Sequence, residues 1–458
     1  MDLKKSLKWL EENRQMIADI SKEVWGFAET AFQEYKSSAL IAETLREHGF
    51  KVEESAFGLE TAFKATYGTG NPVVGFLGEY DALPGMSQEV GTEKKALEEG
   101  KPGHGCGHNL LGVAPLGAAL ALRYGMESDK DMTIVYYGTP AEELLIGKGY
   151  MAREGAFRDL DVAISWHPMN DNVVLDSSFT AIETARFHFK GVTAHAAADP
   201  WNGRSALDAA ELMTTGAQYL REHVQDGVRF HYIYEDGGKA PNIVPDSASL
   251  YFFVRAQNRA LAIETFDRIV KCAEGAATMT ETTYELERVG GCYEILPNDV
   301  LMDVLVEAME ETPTLEFTEE EYAFAEEINK QSPKYEAASK KEGYQSINTE
   351  FLGKQKISIS GSSDVGDVSH IVPTIIFLTA TQNSLAPNHS WDNVSCNGMT
   401  IGQKGMLYAS ESMVRWAEKL IADPELVEKA KTEFQEATKG QEYTCPITEE
   451  MDYKDAIK

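Results

Sequence analysis

The sequence predicts an α/β fold: a mostly parallel sheet domain spanning 1–180 and 293–458, interrupted at 181–292 by an inserted α+β domain of ferredoxin-like order. Three observations predict it. Continuous apolar runs (Val73–Leu77, Thr133–Tyr137, Val162–Ser165 and Pro373–Leu378) have the pattern of strands covered on both faces. Helical patterns alternate with them, which means a parallel sheet. Between 181 and 292 the pattern changes to β-α-β-β-α-β, the order of a ferredoxin-like sandwich.

At 458 residues the chain exceeds one compact core, so at least two domains are expected. With 42 basic and 73 acidic residues the net charge is −31, which repels phosphate backbones and anionic membranes and argues against nucleic acid and membrane as partners. Five scattered cysteines suggest thiols in a reducing compartment, and no apolar leader or spanning run is seen, so a cytoplasmic protein is expected.

Taken in order, 3–25 and 36–48 read as helices, the second closed by Gly49. Strand patterns follow at 61–67 and 73–77. The second leads into Gly78-Glu79-Tyr80-Asp81-Ala82-Leu83-Pro84. Gly103-His104-Gly105-Cys106-Gly107-His108-Asn109 is too glycine-rich for a helix or strand interior, so it is a shaped loop. If extended, it points Cys106 and His108 the same way. A Gly-rich turn with a buried thiol and an incidental histidine is the plainer alternative. An Ala/Leu helix follows at 110–124, with Pro115 bending it or marking its first turn. Residues 313–350, Glu-rich and without clear periodicity, read as a solvated excursion.

The chemistry-capable residues fall after the apolar runs, where ligands gather in such sheets. Glu142 and Glu143 follow Gly138-Thr139-Pro140-Ala141; one can bind a metal while the other acts as a base, or both are a solvated pair at a helix start. His167 and His389 lie in the later loops, as ligands or packed histidines. His195 and Asn242 sit in the inserted domain, reaching a neighbouring site or capping local turns. His104 and His370 favour structural roles, and Asp364 and Asp367 shape a pocket or a plain turn. One thiolate, one carboxylate and three imidazoles together suit two divalent ions, zinc or manganese. With a bridging hydroxide that set leaves about +1, which a carboxylate such as Asp81, orienting a histidine, offsets.

In this order the motifs resemble the metal-dependent aminoacylase/carboxypeptidase superfamily, in the amidohydrolase branch with hippurate hydrolase and the indole-acetyl-amino-acid hydrolases. The shared marks are Gly78–Gly85, Gly103–Asn109, Gly138–Glu143, Trp166-His167-Pro168, Ala194–Ala197 and Gly361–Val368, along nearly the whole chain. The resemblance implies metal ligands at Cys106, His108, Glu143, His167 and His389 and an acid/base at Glu142. It also implies an oxyanion donor at His195, assisted by Asn242, acting across a homodimer formed by the inserted domain as a dimerisation lid. The chain departs from the branch at Asn109, where Asp is common, and at Ala386-Pro387-Asn388-His389, where Gly-x-x-Leu-His is usual.

The activity expected is hydrolysis of an N-acyl- or N-aroyl-amino acid, p-aminobenzoyl-glutamate-like, by metal-activated water. Arg255 or Arg204 is expected to hold the substrate carboxylate bidentately. A related second subunit is a further candidate partner. Two rivals remain at this point: Cys106 as a nucleophile with a histidine base, and a non-catalytic binding or scaffold protein around a structural metal.

Overall fold

The computed structural model describes residues 1–357 and 361–456. Twelve strands are described: β1 Lys51–Glu54, β2 Phe63–Gly68, β3 Val73–Gly78, β4 Thr133–Gly138, β5 Val162–Met169, β6 Asn172–Leu175, β7 Ala181–Lys190, β8 Arg229–Asp236, β9 Ser247–Ala256, β10 Thr283–Cys292, β11 Phe351–Gln355 and β12 Thr374–Ala380. They form two sheets, one of eight strands in the order β1-β2-β4-β3-β5-β12-β6-β11 and one of four in the order β10-β7-β9-β8.

The four apolar runs become the centre of the large sheet. β4, β3, β5 and β12 are mutually parallel, and every residue of β12 is buried. Helices cover both faces, as a two-sided apolar strand requires. Val113–Gly125 is buried along most of its length, packed between Leu3–Glu12 and Thr400–Ala422. A Cβ on its Gly117 would lie 2.9 Å from Ser410 Oγ, so glycine sets how closely those helices approach. Pro115 occupies the first turn, where its missing N–H has no intrahelical partner to lose, and the expected 110–124 helix is interrupted before it, at Gly112 between His108–Leu111 and Val113–Gly125.

The sheet is less uniformly parallel than its centre. β2 pairs antiparallel with both β1 and β4, and β12 pairs antiparallel with β6. The short strands β1, β6 and β11 carry too little periodicity to be read from sequence. Asn13 divides the expected 3–25 helix in two, its Nδ2 donating back to the Trp9 carbonyl 2.8 Å away.

The four-stranded sheet has the ferredoxin-like order, with helices Ala206–Leu220 and Arg259–Thr280 on one face. Along β9 the residues alternate strictly. Ala248, Leu250, Phe252, Val254 and Ala256 are buried, whereas Phe253 and Arg255 point to the other face. That second face is the one the cavity described below meets.

The excursion expected at 313–350 is instead a folded segment. Glu319–Asn329 is a helix with a reciprocal capping box between Thr318 and Glu321. Its buried face is a narrow stripe, Ala325 and Ile328, that the surrounding glutamates hide in the sequence. Buried Asn329 accepts from Asn383 Nδ2 at 2.9 Å and donates to the Ser346 carbonyl, tying the segment to the loop after β12. Among the described residues no helix is long and apolar enough to cross a membrane.

Candidate metal centre

The site is built at the carboxyl ends of β3, β4, β5 and β12. Cys106 and His108 converge, but not along an extended segment. Gly107 turns the chain at φ +86°, and His108 starts a short helix, His108–Leu111. A Cβ on Gly107 would lie 2.9 Å from Pro168, so both the φ and the space require glycine. Cys106 Sγ then lies 3.2 Å from His167 Nε2, near the end of β5. The other His167 nitrogen, Nδ1, is 2.8 Å from the Pro168 carbonyl, so it carries the proton and leaves Nε2 a lone pair facing Cys106.

Glu142 and Glu143 occupy a single 3₁₀ turn flanked by left-handed Ala141 and Leu145, and the turn aims them apart. Glu142 Oε2 lies 3.8 Å from His108 Nε2, while Glu143 Oε2 lies 3.8 Å from His389 Nε2. Asp81 ties the two halves together. Its Oδ1 accepts from His108 Nδ1 at 2.9 Å and its Oδ2 from the Glu143 backbone N–H at 2.9 Å. His389 sits half-exposed on a left-handed backbone at φ +53°.

Among the described residues, three sets of donor atoms each gather within 4.8 Å: Cys106 with His108 and His167, Cys106 with Glu143 and His389, and Glu79 with His108 and Glu142. Cys106 belongs to the first two, at the corner they share. Two atoms in these sets, His108 Nε2 and Glu143 Oε1, are buried without a hydrogen-bond partner. Soft and borderline donors around orphaned buried atoms fit divalent cations. The electrostatics agree. Burial, reinforced by Glu79, holds the Glu142 carboxyl well above its ordinary range, and burial moves Glu143 up to about 7. Burial pushes the Cys106 thiol up as well, helped by Glu143. Negative charge is therefore expensive here until positive charge enters.

Around these residues lies a cavity of about 580 Å³, lined by Cys106, Glu142, Glu143, His167 and His389. Its wall includes Leu145, Phe179 and Phe253. Arg255 reaches it from the open face of β9, with its Nε buried and unpartnered. Arg204 does not line the cavity; its Nε donates to Glu281 at 2.6 Å within the small-sheet region. His195 and Asn242 do not line it either. Both are exposed, in neighbouring loops joined by the Ala196 N–H to Asn242 carbonyl bond. His195 Nδ1 accepts from the Ala197 and Ala198 N–H groups, which leaves Nε2 protonated and directed elsewhere as a donor.

His104 is buried with Nε2 3.1 Å from the Val24 carbonyl, and His370 packs against Tyr293, both structural positions. Asp367 accepts from Tyr443. Sequence reasoning missed Glu79 and Lys148. Glu79 stands two residues before Asp81 at the end of β3, a spacing that was visible; buried Lys148 carried no signal.

Fold and site together define a metal-dependent hydrolase of amide bonds. Residues 181–278 match the peptidase dimerisation domain. Along 96% of its length the chain is 36% identical to one of the subunits of p-aminobenzoyl-glutamate hydrolase from Escherichia coli K12, covering 96% of that protein. It resembles the crystal structure of an aminobenzoyl-glutamate utilization protein from Klebsiella pneumoniae (TM-score 0.62, 19% identity, 90% of this chain and 97% of that one). It likewise resembles a dinuclear metal-binding peptidase of the M20 family from Bacillus subtilis (TM-score 0.59, 16% identity, 90% and 99%). The chain belongs to the M20 family of metallopeptidases and acyl-amino-acid hydrolases.

Proposed function

We propose that the chain hydrolyses the amide joining an acyl or aroyl group to an amino acid, with p-aminobenzoyl-glutamate-like compounds as the substrate class. The observation that carries this reading is the pair of donor sets sharing Cys106 beside Glu142, at a cavity that also holds an apolar wall and a half-buried arginine. Cys106, His108, Glu143, His167 and His389 hold two divalent ions, zinc or manganese. When bound, such ions polarise the amide carbonyl and make water acidic enough to attack at neutral pH.

The chain's own residues do the rest. Glu142 takes the proton of the attacking water and delivers it to the leaving nitrogen, and its raised proton affinity suits both halves of that task. Asp81 fixes His108 with Nε2 toward the site. Arg255 pairs with the substrate carboxylate, while Leu145, Phe179 and Phe253 face its apolar or aromatic part. Residues 181–292 act as a dimerisation unit, and a homodimer carries His195 and Asn242 of one protomer to the cavity of the other. There His195 Nε2–H donates to the developing oxyanion. Because the E. coli relative is named as one subunit of its hydrolase, a related second chain is a further candidate partner. A cytoplasmic setting suits the five free cysteines.

The test is release of free amino acid from a panel of acyl- and aroyl-amino acids, with metal-stripped and metal-reloaded protein. The panel includes substrates whose carboxylate is amidated. Activity should vanish on stripping, return on reloading, and fall for the amidated members. The 3.2 Å contact between Cys106 and His167 also fits a thiol nucleophile and its base, although the raised thiol opposes it. Activity that resists a chelator but is lost on alkylation would replace the metal reading with that one.

A further inference from the structure

Lys148 is completely buried, at the start of helix Gly147–Arg153, and it lies beneath the site where no substrate reaches. Its Nζ is 2.6 Å from Glu79 Oε1 and 2.6 Å from Asp364 Oδ1. Its own backbone N–H donates to Asp364 Oδ2 at 2.8 Å. Asp364 thus grips one residue at two points, which fixes the lysine rotamer and directs the ammonium at Glu79. The free oxygen of Glu79, Oε2, lies 3.5 Å from His108 Nε2, the orphaned nitrogen that also faces Glu142.

A buried ion pair is a weak source of stability, because desolvating the charges offsets their attraction. The same charge placed one side chain away from a reacting carboxylate acts through low dielectric and is strong there. Asp364 and Glu79 hold the Lys148 ammonium above lysine's ordinary proton affinity against the opposing pull of burial, so the position carries a fixed positive charge.

We propose that Lys148 is a positioning residue for the hydrolysis. It clamps Glu79 by one oxygen so that the other stays aimed at His108 and Glu142, and its charge lets three buried carboxylates, Glu79, Asp364 and Glu142, share the floor of the site. The chain Asp364–Lys148–Glu79 then sets the position and charge around Glu142 without touching substrate. This rests on the reading of Glu142 as the proton carrier, and the experiment keeps the two apart.

The test uses purified full-length Lys148→Met and Glu79→Gln and the double variant. Each is measured for kcat, KM, bound metal per chain and unfolding temperature. Expected for Lys148→Met is a kcat lowered about 30-fold or more, with KM within about 3-fold and metal content unchanged. Glu79→Gln, which keeps a hydrogen-bond acceptor for Lys148, should lower kcat in the same way, and the double variant should be no worse than the poorer single one. If Lys148→Met does not fold, Glu79→Gln decides alone. A folded Lys148→Met or Glu79→Gln with kcat within about 3-fold of the parent overturns the proposal, as do losses that multiply in the double variant. Loss of bound metal in step with kcat also overturns it, because the residue would then merely hold the fold of the ligand set. Full activity in Glu142→Gln would remove the proton-carrier reading whatever Lys148 does.

Discussion

Two regions that the proposed reaction needs are prepared to very different degrees. The floor of the cavity is finished: Asp81, Glu79 and Lys148 are buried, Asp81 bonded to His108 and Glu79 paired with Lys148. The His195–Asn242 loops are exposed and meet nothing of the cavity in their own protomer. One region is rigid because its charges have no water to fall back on. The other leaves its donor in water. The difference teaches that burial marks the parts of the site that this chain completes by itself; on the proposed reading, the exposed His195 and Asn242 are the part completed between chains.

The largest expected effect tests the finished side. Glu142→Gln keeps the shape of the turn and removes the proton acceptor, so kcat should fall by about 10³-fold or more while bound metal stays constant. Assaying amino-acid release alongside metal content checks it. If turnover survives, the floor is only a metal cradle and the contrast between the two regions loses its chemical meaning.

Much of the site around the cavity was legible in the sequence, and most of its floor was not. The four parallel strands announced themselves because strands buried on both faces must be apolar throughout, and the residues after them had nowhere to go but the strand ends. Cys106, Glu142, Glu143, His167 and His389 were therefore visible as a set, and the structure gathers them around one cavity. Lys148 was invisible. A lysine in a helix reads as a solvated charge, and only its two carboxylate partners, 69 and 216 positions away in the chain, reveal that it is buried. Helix Glu319–Asn329 was hidden for the converse reason: a short apolar stripe among glutamates looks like surface. Arg204 looked as suitable for a carboxylate as Arg255, because sequence cannot show that Glu281 already occupies it.

A smaller effect sharpens the other side of the comparison. His195→Ala should lower kcat about 10²- to 10³-fold, the usual result of removing one oxyanion donor. If the residue serves the neighbouring protomer, mixing inactive His195→Ala with inactive Glu142→Gln and allowing subunits to exchange should restore part of the activity. A mixed dimer then holds one cavity with both groups intact. No recovery in demonstrably mixed dimers would place His195 and Glu142 in service of the same protomer, and the exposed loops would have to close over their own cavity.

The smallest effect concerns how the floor tolerates its own charge. Glu34 is fully buried, accepts from the Phe32 and Ala141 N–H groups and from Thr61 Oγ1, and so holds the residue just before Glu142. Burial, reinforced by Asp81, raises its carboxyl to about 8. The folded state therefore keeps a proton that the unfolded chain gives up near the ordinary value of 4.5. The stability this proton contributes is full below about 4.5 and is lost as the pH rises through about 8. His104 and His167, depressed by burial to about 3 and about 4, act in the opposite sense, but most of their contribution is already in place at pH 6, and the remainder offsets only part of the fall. In metal-free protein, unfolding stability should fall by roughly 1–2 kcal/mol between pH 6 and pH 8. Glu143, raised to about 7, adds to this fall, whereas bound cations should cancel its share. Glu34→Gln mimics the protonated carboxyl and should flatten part of the slope while leaving stability at pH 6 nearly unchanged. Denaturant titrations of the two proteins at both pH values check this. An unaltered slope in Glu34→Gln would mean that Glu34 is ionised in the folded state, and that the N–H groups of Phe32 and Ala141 outweigh its burial.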